Sequence, residues 1–431
     1  MSSIKQKRPK VFYGWWLVLA SFISQFTQAT LVFHSFGAYF EILREEFGAS
    51  RGAIAGVFAL TRLESGLLGP IQGWLINHLG PRNLARIGAV LFGGGFILLS
   101  QSPSLIFYYV AFFILSVGAS LAGFLTLHTV LANWFLKRRS LAFSLSQVGM
   151  GIGGLFVPVI AWSLMTFGWR PTAFYSGIFV FITTMLLAQT LRLNPEPYGY
   201  LPDGAHNSSP QSSTQSGPQE IATPVEGFGV KEALANRSFW LISFGHSMAL
   251  FVVSAIAVSL VPHLQEQQGL SLVRASSVLA FITASAAIGQ LLGGVIGDRY
   301  EKRYIAAICM VAHTIGMWTI AFSTLLLPVI IAGVIHGLAW GTRMPIMSAI
   351  RADYFGRRNF ATIMGYSTMI VMLGQILGPI YTSVTADIFG TYKIGFVTLG
   401  ALPIFGAFAF LAAKNPNEPS SISIPRNETG S

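Results

Sequence analysis

Charge is what this chain most lacks. Asp, Glu, Lys and Arg make up 10% of its 431 residues, against about 25% in an ordinary globular protein. Hydrophobic residues are 53% of the chain and mean hydropathy is +0.61. So little polar surface cannot cover a water-soluble globule, and a lipid bilayer is the implied solvent. Cysteine occurs once, as Cys309, which excludes an internal disulfide and reads as a buried apolar residue. The net charge of +11 would suit a nucleic-acid partner only if the basic residues gathered on one soluble face. They lie instead between hydrophobic runs, so no nucleic-acid partner is expected. The apolar runs contain neither an HExxH zinc sequence nor an aspartate dyad, so no enzyme, cofactor or metal site is expected. Two apparent motifs fail on context. Gly149-Met150-Gly151-Ile152-Gly153-Gly154 fits G-x-G-x-x-G but follows no strand, and Gly245-His246-Ser247-Met248-Ala249 lacks the strand–turn–helix of a nucleophile elbow.

What the chain does have is long runs nearly free of charge, each close to the roughly 20 residues a helix needs to cross hydrocarbon. They cover 12–36, 52–76, 84–101, 104–133, 140–166, 172–191, 238–261, 275–297, 304–323, 327–352, 360–387 and 393–413. The reading is an all-α membrane protein of twelve transmembrane helices in two pseudo-symmetric six-helix bundles. Residues 1–11 form a basic N-terminal segment, 12–193 the first bundle, 194–237 a linker, 238–413 the second bundle and 414–431 a tail. The linker is rich in Pro, Ser, Gln and Gly over 194–229 and cannot fold alone, with a short interfacial helix expected from Val230 to Arg237. The basic residues around 5–10, 82–86, 137–139, 299–303 and 357–358 all fall on one face. Opposite them stand only Arg44, Arg51, Arg170, Arg274 and Lys393, so the positive-inside rule puts both termini in the cytoplasm of a cell membrane. The sequons at Asn207, Asn236 and Asn427 then lie on the cytoplasmic side and read as chance matches.

The halves repeat one another. Gly73-Trp74-Leu75-Ile76-Asn77-His78-Leu79-Gly80-Pro81-Arg82 has the glycine-to-arginine spacing of Gly294-Val295-Ile296-Gly297-Asp298-Arg299-Tyr300-Glu301-Lys302-Arg303. Phe167-Gly168 recurs as Phe389-Gly390, Lys137-Arg138-Arg139 is echoed by Gly356-Arg357-Arg358, and Pro158 by Pro379. Two similar bundles can rock about a site at their interface, which is the physical basis of alternating access.

The G-x-x-x-D-R-x-x-K-R run at 294–303 and its weaker copy at 73–82 resemble the loop motif of the major facilitator superfamily. Trp134-Phe135-Leu136-Lys137-Arg138-Arg139-Ser140-Leu141-Ala142 and Tyr13-Gly14-Trp15-Trp16 resemble the fifth-helix entrance and first-helix start of its monocarboxylate porters and oxalate/formate exchangers. That branch commonly carries an Asp and an Arg inside helix 8, where this chain has Ala286 and Gln290. The resemblance implies a secondary transporter with a central cavity lined by helices 1, 4, 7 and 10. It also implies a cytoplasmic latch, carried here by Asp298, Arg299, Arg303 and Arg82.

Formal charges near the middle of the runs reduce to Arg62, Glu64 and Arg343. Each costs about 2.5–3.5 kcal/mol to insert, so each needs a partner, water or a function. Arg62 and Glu64 project about 200° apart on one helix. Arg62 falls on the stripe of Ala59, Gly66 and Gly69, which the resemblance packs between the halves, and Glu64 is expected to face neighbouring helices or a proton route. His336, Trp340, Arg343 and Met347 stand at i, i+4, i+7 and i+11, one stripe joining a titratable ring, an aromatic wall and a fixed cation. The resemblance turns this stripe toward the cavity, where Arg343 could hold a carboxylate bidentately. Gln25 and Gln28 on helix 1, with His128 and His246, complete the expected substrate contacts; His34 is a weaker candidate of the same kind. His313, on an outer helix by the same resemblance, is expected to be structural. The expected function is transport of a small organic anion, a monocarboxylate or relative, coupled to protons or a counter-substrate. A neutral or amphiphilic solute, a transporter-like sensor or scaffold, and a channel remain the alternatives.

Overall fold

The computed structural model describes residues 11–204 and 227–417, apart from a few side chains in 41–62 and at 272. Of the sequons, Asn207 and Asn427 lie outside these residues, as does the 205–226 part of the linker. Among the described residues, eleven helical stretches are long and apolar enough to span a bilayer. One of them, Leu63–Ser100, has 38 residues and is about twice the hydrocarbon thickness. It is two helices, because Gly80 adopts φ 75° and ψ 155°, outside helical space, and Pro81 follows. Twelve spans result.

The first bundle comprises α1 (Tyr13–Gln28, prolonged by a π-helical Ala29–His34 and by Phe36–Glu46), α2 (51–79), α3 (81–100) and α4 (Leu105–Leu121 and Phe124–Trp134). It is completed by α5 (Arg139–Gly153, a 3₁₀ turn at Gly154–Phe156, then Val157–Phe167) and α6 (Trp169–Thr190). The second bundle comprises α7 (Arg237–Gln268), α8 (Leu272–Gly297), α9 (Lys302–Phe322), α10 (Leu326–Phe355), α11 (Phe360–Phe389) and α12 (Lys393–Ala412). Local chemistry marks their ends. Ser50, Ser104, Ser271 and Asn236 each accept a backbone N–H at a helix start, while Gly269 and Gly390 stop α7 and α11 in the left-handed region. A short helix, Val230–Ala235, precedes α7 as expected.

Small residues bring the bundles together. A Cβ on Gly73 would stand 2.5 Å from Thr362 Cα, one on Gly69 2.8 Å from the Gly365 carbonyl, and one on Gly294 2.6 Å from Ser144 Cβ. Thus α2 lies against α11 and α5 against α8 at backbone distance. These contacts gather at the face that carries the basic loops. There a single apolar cluster draws on both halves, with Leu17, Trp134 and Phe143 packed among Ala349, Phe360 and Met364. Toward the opposite face each bundle keeps its own cluster, one around Tyr108 and Trp169, the other around Leu260 and Phe396. The molecule is therefore sealed at its basic end, and its two cores separate toward the other.

The linker is less free than its composition suggested. Tyr200 packs with Phe12, Tyr13 and Trp134, the Arg192 guanidinium lies 4.2 Å from the Tyr13 ring, and Asn133 Nδ2 donates to Asn194 Oδ1 at 2.9 Å. At its other end the Phe228 N–H donates to the Phe355 carbonyl at 3.0 Å. Residues 194–204 lack a core of their own and use the bundle's.

Candidate functional site

Two kinds of side chain were expected to matter: a latch at the basic end and polar groups at mid-depth. At the latch, the Asp298 carboxylate crosses the seam and accepts the backbone N–H groups of Ser140 at 2.7 Å and Leu141 at 3.1 Å. These are free amides at the start of α5, where the helix dipole also favours a negative charge. Burial pushes the Asp298 carboxyl up from its ordinary value against the pull of those amides and of Lys302, so desolvation offsets part of the contact. The equivalent Asn77 makes the neutral counterpart, its Nδ2 donating to Thr362 Oγ1 at 3.3 Å.

The other expected latch residues do not cross the seam. Arg82 donates to the Leu191 carbonyl of its own bundle, Arg303 pairs with Glu301 two residues away, and Arg299 is exposed. In their place stand residues that had not been assigned to the latch. Arg139 of α5 is ion-paired with Asp353 of α10, which also holds Lys302 at 2.7 Å, and Arg357 reaches Glu196 at 2.9 Å and the Asn133 carbonyl at 3.0 Å. Asp203 adds a second acid at the α5 entrance, accepting the N–H groups of Leu136, Lys137 and Arg138 at 3.0, 2.8 and 3.3 Å.

At mid-depth in the first bundle, Glu64 is buried and faces α4. Its Oε2 accepts the hydroxyls of Ser116 at 2.7 Å, Ser65 at 3.1 Å and Ser120 at 3.2 Å, while Oε1 has no partner. Arg62 lies on α2, but its side chain is outside the described residues. Gln25 donates to Ser146 of α5 at 2.6 Å and Gln28 to Ser24 of its own helix at 3.3 Å, so both amides are engaged within the first bundle. His34 is exposed and its Nε2 lies 3.2 Å from the Met150 carbonyl. His128 does cross the seam: its Nδ1 is 3.0 Å from Ser348 Oγ and its ring stacks on Phe143.

The α10 stripe corrects its expected orientation. Gly337 and Gly341 press against α8, where an added Cβ would stand 2.3 Å from the Ile282 carbonyl and 1.8 Å from that of Ala286. Arg343 follows Gly341 by two residues, about 200° around the helix, and is thereby turned away from α8 into the second bundle. It sits within electrostatic reach of His246 on α7 and of Cys309 and His313 on α9. The residue is fully buried, and none of its three guanidinium nitrogens has a hydrogen-bond partner among the described residues. Met347 is buried in the same interior, and Trp340 is half-buried against the outer apolar cluster of that bundle. His336 bonds to His313, Nδ1 to Nδ1, at 3.0 Å, so His313 belongs to this constellation.

A second arginine joins it. Arg351, about two turns beyond Arg343 on the same helix, is 1% exposed. It donates to Ser367 Oγ at 2.9 Å, to the Met347 carbonyl at 2.6 Å and to His246 Nδ1 at 3.2 Å. Guanidinium has only donors, so the His246 Nδ1 must present a lone pair and the ring is neutral with its hydrogen on Nε2. The second bundle thus holds two buried guanidinium groups, neither of them paired with a carboxylate among the described residues. Between the bundles, Gln147 continues the Ser140–Ser144 face of α5 toward α8. Neither of its amide atoms has a partner, nor does Gln290 Oε1 opposite. A tally of formal charges passes over such amides; a tally of all polar side chains in the spans finds them.

Against known proteins, the sequence profile of the Major Facilitator Superfamily matches residues 17–300 and 242–430. Monocarboxylate transporter 13 of Rattus norvegicus is 26% identical over 92% of this chain and 87% of its own. Monocarboxylate transporter 11 of Homo sapiens is 24% identical over 93% and 82%. Among solved structures, the human organic anion transporter MFSD10 (TETRAN) superposes with a TM-score of 0.72 at 13% identity, covering 94% of this chain and all of that one. The E. coli fucose:proton symporter FucP gives 0.67 at 13%, covering 93% and 99%. With twelve spans in two bundles and a profile that matches nearly end to end, this chain belongs to the major facilitator superfamily and is a multi-pass membrane transporter related to the monocarboxylate transporters.

Proposed function

We propose that this protein moves a small organic anion, a monocarboxylate or a close relative, across a cell membrane by alternating access, with its basic face and both termini in the cytoplasm. The observation that carries this reading is Arg343: a fully buried cation whose whole planar fork is unpartnered. Isolated charge in a low-dielectric interior costs several kcal/mol, and a carboxylate is the group that satisfies two guanidinium N–H donors at once. Arg351 adds a second positive charge on the same helix, and Trp340 offers an apolar wall for the substrate body. Access runs between α10 and α7, since α7 packs chiefly on α11 and α12 and only lightly on α10, with half-buried His246 at that boundary. Arg62 is the candidate partner across the seam, and Glu64 the titratable group of the first bundle. The latch of Asp298 on α5 holds the basic end shut while substrate enters from the other side.

The test is binding and uptake of a panel of small carboxylates by purified, reconstituted protein, with and without a pH gradient. Saturable carboxylate uptake that Arg343→Gln abolishes on folded protein supports the reading. If charge alone matters, Arg343→Lys retains most of the affinity; if the bidentate fork matters, it loses nearly as much as Arg343→Gln. Binding of neutral compounds only would discard it in favour of a second reading, a neutral solute held at the seam. The unpartnered amide of Gln147 and the unpartnered Oε1 of Gln290 support that alternative.

A further inference from the structure

We propose that His313 and His336 form the proton site of this transporter, and that the pair takes up a proton when a carboxylate binds at Arg343. The proposal rests on the anion reading above. His313 on α9 and His336 on α10 are 0% and 1% exposed, with ring centroids 4.5 Å apart and their Nδ1 atoms 3.0 Å apart. Two δ nitrogens at that distance require one hydrogen between them, so one ring donates and the other accepts. A further proton adds to the Nε2 lone pair of the donating ring, because the accepting ring's Nδ1 lone pair is engaged and its Nε2 already carries the hydrogen. His313 Nε2 has no partner among the described residues, so the pair keeps unused hydrogen-bonding capacity.

Arg343 decides when that proton can bind. It follows His336 by seven residues, two turns along the same face of α10, and acts electrostatically on both rings. The other titratable groups near this interior are Cys309 on α9 and His246 on α7, the latter kept neutral by Arg351. No carboxylate pairs with the cluster among the described residues. With Arg343 uncompensated, protonating the pair would bury a further positive charge beside it. A bound carboxylate cancels the arginine charge and removes that repulsion, so anion and proton enter together and the loaded site gains no net charge. Linkage makes the effect reciprocal: whatever factor the anion adds to proton affinity, the proton adds to anion affinity. Carboxylate affinity therefore rises as pH falls, by up to about tenfold per pH unit while one proton is taken up with each anion. Glu64, the buried carboxylate at mid-depth in the first bundle, has one oxygen already holding three hydroxyl donors.

The experiment is isothermal titration of nanodisc-reconstituted protein with a panel of lactate, pyruvate, acetate and benzoate, in two buffers of different ionisation enthalpy at one pH. The buffer dependence of the heat counts protons. The natural sequence and Glu64→Gln are expected to take up about one proton per carboxylate, whereas His313→Gln and His336→Gln bind it with none and lose the pH dependence of affinity. Carboxylate binding without proton uptake in the natural sequence overturns this proposal and leaves the anion reading standing. So does uptake that survives both histidine changes but disappears in Glu64→Gln. If both histidine variants fail to fold, the Glu64→Gln count decides: a retained proton supports the pair and a lost one overturns it. No binding of any carboxylate removes the anion reading and this proposal with it.

Discussion

The two bundles repeat one another in backbone and differ in how they bury charge. In the first, Glu64 is enclosed with its donors supplied, since three serine hydroxyls from α2 and α4 converge on one carboxylate oxygen. In the second, Arg351 is satisfied by a hydroxyl, a carbonyl and a neutral imidazole, while Arg343 has no hydrogen-bond partner among the described residues. One bundle carries a charge that its own hydroxyls satisfy at one of two oxygens, and the other a charge with no partner among the described residues. The same asymmetry recurs at the basic end. Asp298, from the second half, reaches the amides at the start of α5, whereas the matching contact between α2 and α11 is the neutral Asn77–Thr362 pair.

The comparison is most exposed at Arg343. Arg343→Gln is expected to weaken carboxylate binding by about 2–5 kcal/mol, while Arg343→Met raises the melting temperature of the ligand-free protein because an unpartnered buried cation has been removed. A thermal scan with and without carboxylate reads both. A variant less stable than the natural sequence would mean that the cation is completed by the fold and the contrast with Glu64 is false. Next is the first bundle. Ser116→Ala removes the shortest donor to Glu64 and is expected to cost about 1–3 kcal/mol of stability while leaving carboxylate affinity unchanged, as equilibrium unfolding and titration would report. The smallest effect is at the latch. Asp298→Asn should shift the balance of open and closed basic ends by about 1–2 kcal/mol and Asn77→Ala by less than about 1 kcal/mol. Labelling of seam cysteines in a Cys309→Ser background measures both, and equal shifts would erase the asymmetry.

Much of this was readable from the chain alone, for reasons that are local. A bilayer leaves each span to satisfy its own backbone, so helix number and approximate position follow from apolar length, and the glycines at 66, 69, 73, 294 and 297 mark surfaces where another backbone can approach. The Asp298 loop is short and its spacing repeats, so its likeness to Asn77 is visible without coordinates. The identities of Glu64 and Arg343 as costly intramembrane charges needed only the hydropathy of their surroundings. Rotation about the helix axis did not follow in the same way. The Arg343 stripe was expected at the cavity, yet Gly337 and Gly341 seat α10 on α8 and turn Arg343 toward α7 and α9. Those two glycines, four residues apart, were the available signal. Partners distant in sequence were beyond reach altogether: His313 with His336, Arg351 with His246 and Arg139 with Asp353 meet only because separate helices are packed side by side. Sequence alone determined which side chains are too polar for their surroundings, since that is a matter of each residue and its near neighbours. The tertiary structure decided which of them are completed by the fold and which are left to bind something else, because that depends on the faces that packing brings together.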